Sequence, residues 1–402
     1  MILYHTTLIL IYIYLSFNVI YLLVFATAGL FRKSSTYSSV EQKSKIAVLI
    51  PTYKEDAIIV DTARNAVHHN YPNDKFDVII IADQLQESTL ASLTQFPLIL
   101  VKASFKNSTK ARSLKYALQQ LKDYYYDVAF ILDADNIMEA GCLDKVNHAF
   151  FVGHEIVQLH RTAKNKNTAT ALLDAASEEI NNHIFRKGHR ALGLSSALIG
   201  SGMAFKYADF KALMTETDIE DNPGEDREIY LELLRRGKVC EYIEDGLVYD
   251  EKVQSGRILE KQRTRWISAQ LQYAERFWIK EFLRTLSYNI HYFDYALQTI
   301  LMPRILLIGV CVCIVITSLI SFLTNRIILY PSLISWLILV IGCFSSLIIS
   351  VIQHITLKEV FHSLSGLPVA FASFIKAFLK SRPNQQEFIH TPKDFTRKRV
   401  IL

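Results

Sequence analysis

VAFILDADNIM (residues 128–138) begins with five apolar residues, Val128 to Leu132, and then sets Asp133 and Asp135 one residue apart. The apolar run has the length and β-branched content of a buried strand. A buried strand excludes charge, so the two acids mark its exit. In an extended chain residues i and i+2 share a face, which predicts that both carboxylates point to one side. Two carboxylates this close repel unless a cation or hydrogen-bond donors compensate. Hard oxygen ligands without His or Cys suit Mg²⁺ or Mn²⁺, above all when a diphosphate completes the shell. Taken alone, D-x-D reads as an ordinary acidic turn; its place at the end of the fourth strand is what points to a ligand.

Working outward, IAVLI (46–50), FDVIII (76–81) and PLILV (97–101) are further strand-length apolar runs. Helical patterns at Asp56–His69, Glu87–Thr94 and Lys110–Leu121 separate them. Strands alternating with helices predict an α/β domain, a mainly parallel sheet with helices on both faces. Ligands of such sheets sit at the carboxyl ends of the strands. That rule gathers PTYKED, ADQ, KASFKNSTK and DADN on one rim.

The flanks are of another kind. Thr7–Phe31, Ile305–Asn325 and Ser332–Gln353 carry no charge, and each is long enough to cross a hydrocarbon core as helix. The first has no basic region before it, is too long and shows no small-residue cleavage site, so it reads as an anchor and not a signal peptide. Arg32, Lys33, Lys43 and Lys45 follow it, and the tail is basic from Lys376 to Arg399. Positive charge marks the cytoplasmic side, which puts the body and tail there in an integral membrane protein of the cytoplasmic or inner membrane. The same segments account for most of the net charge of +5 among 402 residues, so nucleic acid is not implied. The five cysteines and twelve histidines show no metal-ligand spacing. The resulting division is 1–31 for the first membrane helix, 45–275 for the α/β domain and 276–303 for interfacial helices. Residues 304–325 and 331–354 follow as membrane helices, and 366–402 as an interfacial helix with a basic tail.

VLIPTYKED, IIADQ, STKARSLKYAL, ILDADN, GLSSALIGSGMAF, GEDREIYLELLRRG and QRTRW occur in that order. The series resembles the membrane-anchored family-2 glycosyltransferases of GT-A type, which include cellulose, chitin, hyaluronan and chitooligosaccharide synthases. The resemblance implies a nucleotide site made by Pro51, Tyr53, Glu55, Asp83, Lys110 and Asp133, with Tyr53 stacking on the base. Lys102 or Lys106 could take the place of Lys110. Asp83 would accept a hydrogen bond from uracil, although the family more often has two acids where this chain has Ala82-Asp83. Asp135 would ligate Mg²⁺ or Mn²⁺.

The same resemblance makes Asp226 the catalytic base, next to Glu225 and behind the Pro223-Gly224 break. As a local reading, both acids simply suit the positive end of a helix dipole. Gly200, Ser201 and Gly202 relieve a turn and let backbone approach a sugar. Gln262, Arg265 and Trp266 fall on one helix face at i, i+3 and i+4. There Trp can stack on a pyranose, Gln can bond hydroxyls and Arg can offset diphosphate charge. In FIHTPK, Phe388, Thr391 and Lys393 resemble a gating loop that closes over the nucleotide, with His390 in place of the usual valine.

The implied activity is inverting, metal-dependent transfer from a UDP-sugar to a growing β-linked glycan. Single-step transfer to a lipid carrier is the alternative, and an inactive nucleotide-sugar sensor is a third reading. The implied partners are the UDP-sugar, a glycan or lipid-linked acceptor, the membrane, and a homo-oligomer or partner translocation protein.

Overall fold

A computed structural model describes residues 2–33, 37–220, 224–324 and 330–381. Phe388, Thr391 and Lys393 lie outside the described residues. A long apolar helix, α1 (Ile2–Phe31), leads into the α/β body. Its first half runs β1 (Ile46–Tyr53), α2 (Ile59–Val67), β2 (Phe76–Asp83), α3 (Glu87–Leu93), β3 (Ile99–Ala103), α4 (Lys110–Gln120) and β4 (Val128–Ile131). Next come β5 (Ile137–Met138), α5 (Cys142–Phe151), β6 (Ile156–Ala163), α6 (Ala169–Asn181), a π-helical stretch Asn182–Gly188 and α7 (His189–Ala191). The body closes with β7 (Met203–Lys206), α8 (Tyr207–Glu216), α9 (Glu225–Arg235), β8 (Glu241–Asp250) and α10 (Gly256–Glu275).

These strands form one sheet in the order β3-β2-β1-β4-β7-β6-β8-β5. The strands read from the sequence make its parallel half, β3-β2-β1-β4. Beyond β4 the sheet is mixed: β7 runs antiparallel to both β4 and β6, while β6 and β8 are parallel. Alternation along the strands divides the core. Ala47, Leu49, Ile79, Ile81, Ala129 and Ile131 pack towards α4, α8 and α9. Ile46, Val48, Ile50, Val78, Ile80, Val128 and Phe130 pack towards α2 and α5. Burial on both faces is why these runs are continuously apolar.

After α10 the chain turns through a π-helical stretch Arg276–Lys280, α11 (Phe282–Ser287) and α12 (Ile290–Thr299). Ile279, Leu283, Leu286 and Ile290 are exposed along this stretch. Helices α13 (Arg304–Thr324) and α14 (Leu333–Val351) follow, then α15 (Leu357–Leu364) and α16 (Leu367–Lys380). Three helices, α1, α13 and α14, are long and apolar enough to cross a membrane. The bent pair α15–α16 passes the same test only as a single broken span.

Candidate active site

Four segments converge above the carboxyl end of the parallel half. Thr109 caps α4, its hydroxyl accepting from Arg112 N at 3.2 Å, and so sets Lys110 at the first helical position. A cap of this kind is worth about 1 kcal/mol. Lys110 Nζ then donates to the Asp133 carboxylate and to the Gly200 carbonyl. Burial works against its charge, but Asp133 and then Glu225 outweigh it and hold the ammonium above its ordinary pKa. This lysine thus ties the α4 side of the rim to the turn before β7.

The D-x-D pair is not on a strand. Strand β4 ends at Ile131, and Asn136 N bonds back to Asp133 O at 3.0 Å in a turn. A turn, not the pleat, brings both acids to the same cavity. Asp135 is buried, at 5% exposure. Asn136 organises the turn: its amide nitrogen lies 3.3 Å from Asp135 Oδ1 and 3.1 Å from Asp250 Oδ1. The Ser201 hydroxyl closes the network, accepting from Asp133 N at 2.9 Å and donating to Asn136 Oδ1 at 2.5 Å.

Gly200 has φ +81°, so a side chain there would be strained. An added Cβ would also lie 3.5 Å from Asp226 Oδ2. Asp226 and Glu225 occupy the first turn of α9, capped by Gly224, as the sequence predicts. Burial first, and then Asp226, push the Glu225 carboxyl up to about 7 despite Lys110.

A cavity of about 1120 Å³ gathers most of the expected residues: Pro51, Tyr53, Glu55, Lys110, Asp133, Asp135, Gly200, Glu225, Asp226, Gln262, Arg265 and Trp266. Three expected residues fall elsewhere. Ser201 and Gly202 are buried behind the wall, where they shape the turn instead of touching a sugar. Asp83 is 0% exposed, and neither carboxylate oxygen makes a hydrogen bond of good geometry among the described residues. Burial raises its pKa, opposed by Ser108, the Phe105 N–H and Lys54. The 105–108 segment lies over it, held by Gln84 Nε2 to Phe105 O at 3.0 Å.

Helix α10 presents its motif with one modification. The Arg263 guanidinium sits 4.2 Å from the centroid of the Trp266 ring, so one indole face is already taken. Gln262 Oε1 is buried without a hydrogen-bond partner among the described residues.

Several wall residues escaped the sequence reading. Arg161 bonds Glu178 Oε2 at 3.0 Å, and Lys252 bonds Asp250 Oδ2 at 2.8 Å, giving a buried ionic floor beneath Asp135. Burial opposes the charge of Glu178, but Arg161 and then Lys252 hold it at about 2. These residues come from β6, α6 and the end of β8, far apart in sequence, and no local motif signals them. Beyond the floor the wall is made by Arg304, Ile305 and Ile308 at the start of α13, with Leu347 of α14.

The model of a "Glycosyltransferase like family 2" domain matches residues 43–269. No curated protein sequence matches the chain. Among solved structures, the mannosyltransferase PcManGT from Pyrobaculum calidifontis, in complex with GDP-Man and Mn²⁺, aligns over 94% of this chain and 97% of that chain. Its TM-score is 0.54 and its identity 14%. Glucosyl-3-phosphoglycerate synthase from Mycobacterium tuberculosis, in complex with Mn²⁺, UDP and phosphoglyceric acid, aligns over 53% of this chain and 72% of that chain, with TM-score 0.37 and 14% identity. The fold and the extent of the family match, more than half of the chain, make this protein a member of the family-2 glycosyltransferases, with a GT-A-like mixed sheet and three helices able to span a membrane.

Proposed function

We propose that the chain is an inverting glycosyltransferase that moves a sugar from a UDP-sugar to a growing β-linked glycan on the cytoplasmic side of a membrane. The carrying observation is one cavity lined by a half-buried Asp226 and by the Asp133/Asp135 turn, with Lys110 bonding Asp133 and the Gly200 carbonyl between them. Asp226 takes the proton of the acceptor hydroxyl as that oxygen attacks the anomeric carbon. The bond from that carbon to the diphosphate breaks with its electron pair on the leaving group. The donor set of the turn, carboxylates without His or Cys, fits Mg²⁺ or Mn²⁺, with Asp135 its ligand and Asp133 on the nucleotide side. When bound, that cation would neutralise the departing diphosphate. Asp83 and Tyr53 would take the base; the buried Asp83 carboxylate, beside Ser108 and the Phe105 N–H, is the acceptor suited to a uracil N–H. Gln262 and the free face of Trp266 would hold the acceptor sugar, with Arg265 beside the diphosphate.

A second reading, single-step transfer to a phosphate-bearing lipid, has its own observation. Arg304, which donates to Asn181 Oδ1 at 2.8 Å and to the Ser177 carbonyl and hydroxyl at 3.1 and 3.0 Å, lines the cavity beside apolar Ile305 and Ile308, so a cation and an apolar wall meet where a lipid phosphate would sit.

The test is release of nucleotide from a panel of UDP- and GDP-sugars, with product size measured alongside. Asp226→Asn should lose at least about 100-fold of turnover while keeping UDP affinity, the usual worth of a general base. Full activity in that variant would remove Asp226 from the chemistry. Products carrying one sugar only would replace the polymer reading by the lipid one.

A further inference from the structure

His160 of β6, Glu179 of α6 and His354, just past α14, bring one ligand atom each to within 4.8 Å of one another. His160 and Glu179 are 1% and 3% exposed; His354 is the more exposed of the three. The hydrogen bonding of His160 is the decisive detail. Its Nδ1 lies 3.2 Å from the Glu244 carbonyl oxygen, and its Nε2 lies 2.8 Å from Glu179 Oε2. Both neighbours are acceptors, yet a neutral imidazole has a single N–H. With Nδ1–H serving the carbonyl, Nε2 presents its lone pair towards Glu179, the orientation in which an imidazole ligates a metal.

We propose that His160, Glu179 and His354 form a divalent metal site, of a chemistry that suits Zn²⁺, which pins the turn after the last membrane helix to the catalytic sheet. Two imidazoles and a carboxylate are a common zinc set that leaves a fourth position for water. Zinc–ligand bonds of about 2.0–2.2 Å separate tetrahedral ligand atoms by roughly 3.3 Å, so the His160–Glu179 contact would open slightly and His354 would close in. The outer contacts that metal-binding side chains need are already formed. Nδ1 of His160 faces a carbonyl, Thr162 Oγ1 donates to Glu179 Oε1 at 2.7 Å, and Asn182 Nδ2 donates to Glu179 Oε2 at 3.2 Å. The nearby cation Lys187 is engaged by Glu244 at 2.6 Å and reaches Gln353 at 3.3 Å, holding the same turn in place. The site is separate from Asp135 and does not depend on the glycosyl-transfer reading.

The full chain, purified in detergent without a polyhistidine tag, is assayed for zinc by mass spectrometry, and separately loaded with Co²⁺ and scanned in the visible. The expected results are about one zinc per chain and a tetrahedral Co²⁺ band, both retained in Asp135→Asn. Both should be lost in His354→Ala, whose more exposed position leaves folding intact, as unfolding curves would verify. Zinc content in His354→Ala equal to wild type, or the absence of both signals from folded wild type, overturns the proposal. In the second case the His160–Glu179 contact is a plain hydrogen bond.

Discussion

At the scale of single residues, the site is a set of carboxylates kept apart by one lysine. Glu225, raised from 4.5 to about 7 by burial and by Asp226, binds its proton more tightly in the folded chain than in the unfolded one. Its contribution to stability is therefore fully present below pH 4.5 and is lost as pH rises through 7. Thermal unfolding in detergent should show Tm falling between pH 5 and pH 7.5, and Glu225→Gln should flatten that slope. An unchanged slope in the variant would assign the pH dependence to another group. Asp135 gives a sharper test. Asp135→Asn should abolish metal-stimulated turnover and weaken UDP binding only when Mn²⁺ is present, and EDTA should silence the wild type. Turnover of wild type in EDTA would defeat the reading of Asp135 as a ligand. The places of Asp226 and Asp135 in the fold were legible because each sits in a local signature, a helix start and a strand exit. The pKa of Glu225 was not, since it depends on Lys110 and Asp133 arriving from other elements.

At the scale of elements, the parallel half of the sheet was readable because burial on both faces writes continuous apolar runs. Strands β5 to β8 were harder: β5 has two residues, β7 has four, and half-buried positions interrupt β8. The D-x-D turn shows the same limit. The pleat predicted a shared face, and a turn produced it by other means. The docking of α1 was invisible in sequence altogether. Its second half packs on the π-helical stretch 182–188, with His183 bonded to the Ala26 carbonyl at 2.8 Å and Phe25 stacked on His189 at 3.8 Å. Gly188 makes this possible, since a Cβ there would stand 2.2 Å from the Phe25 carbonyl oxygen. The obstacle is backbone and cannot swing aside. Gly188→Ala should therefore destabilise by about 1–3 kcal/mol, the usual cost of overpacking. The readout is a lower Tm with the catalytic motifs untouched. A wild-type Tm would mean that α1 does not seat on this stretch.

At the scale of the whole molecule, the cavity runs from the Asp133/Asp135 turn to the start of α13 and the interior of α14, so the candidate site and two helices able to span a membrane border one space. That continuity argues for an acceptor that belongs to the membrane or passes into it, and it makes orientation a functional question. Exposed Leu10, Ile13 and Ile20 on α1, Leu319 and Phe322 on α13, and Ile338 and Ile341 on α14 give these helices apolar outer faces suited to lipid. Arg32 and Lys33 follow α1 directly, and the basic tail follows α16. Positive flanks of this kind are retained on the cytoplasmic side. Two single-cysteine reporters test the arrangement in intact cells, Ser38→Cys after α1 and Tyr330→Cys before α14. Both positions are exposed. An impermeant maleimide should label position 330 and reach position 38 only after lysis. The reverse pattern would put the cavity on the side where nucleotide sugars are not supplied, and the glycosyl-transfer reading would then need a donor that crosses the membrane first.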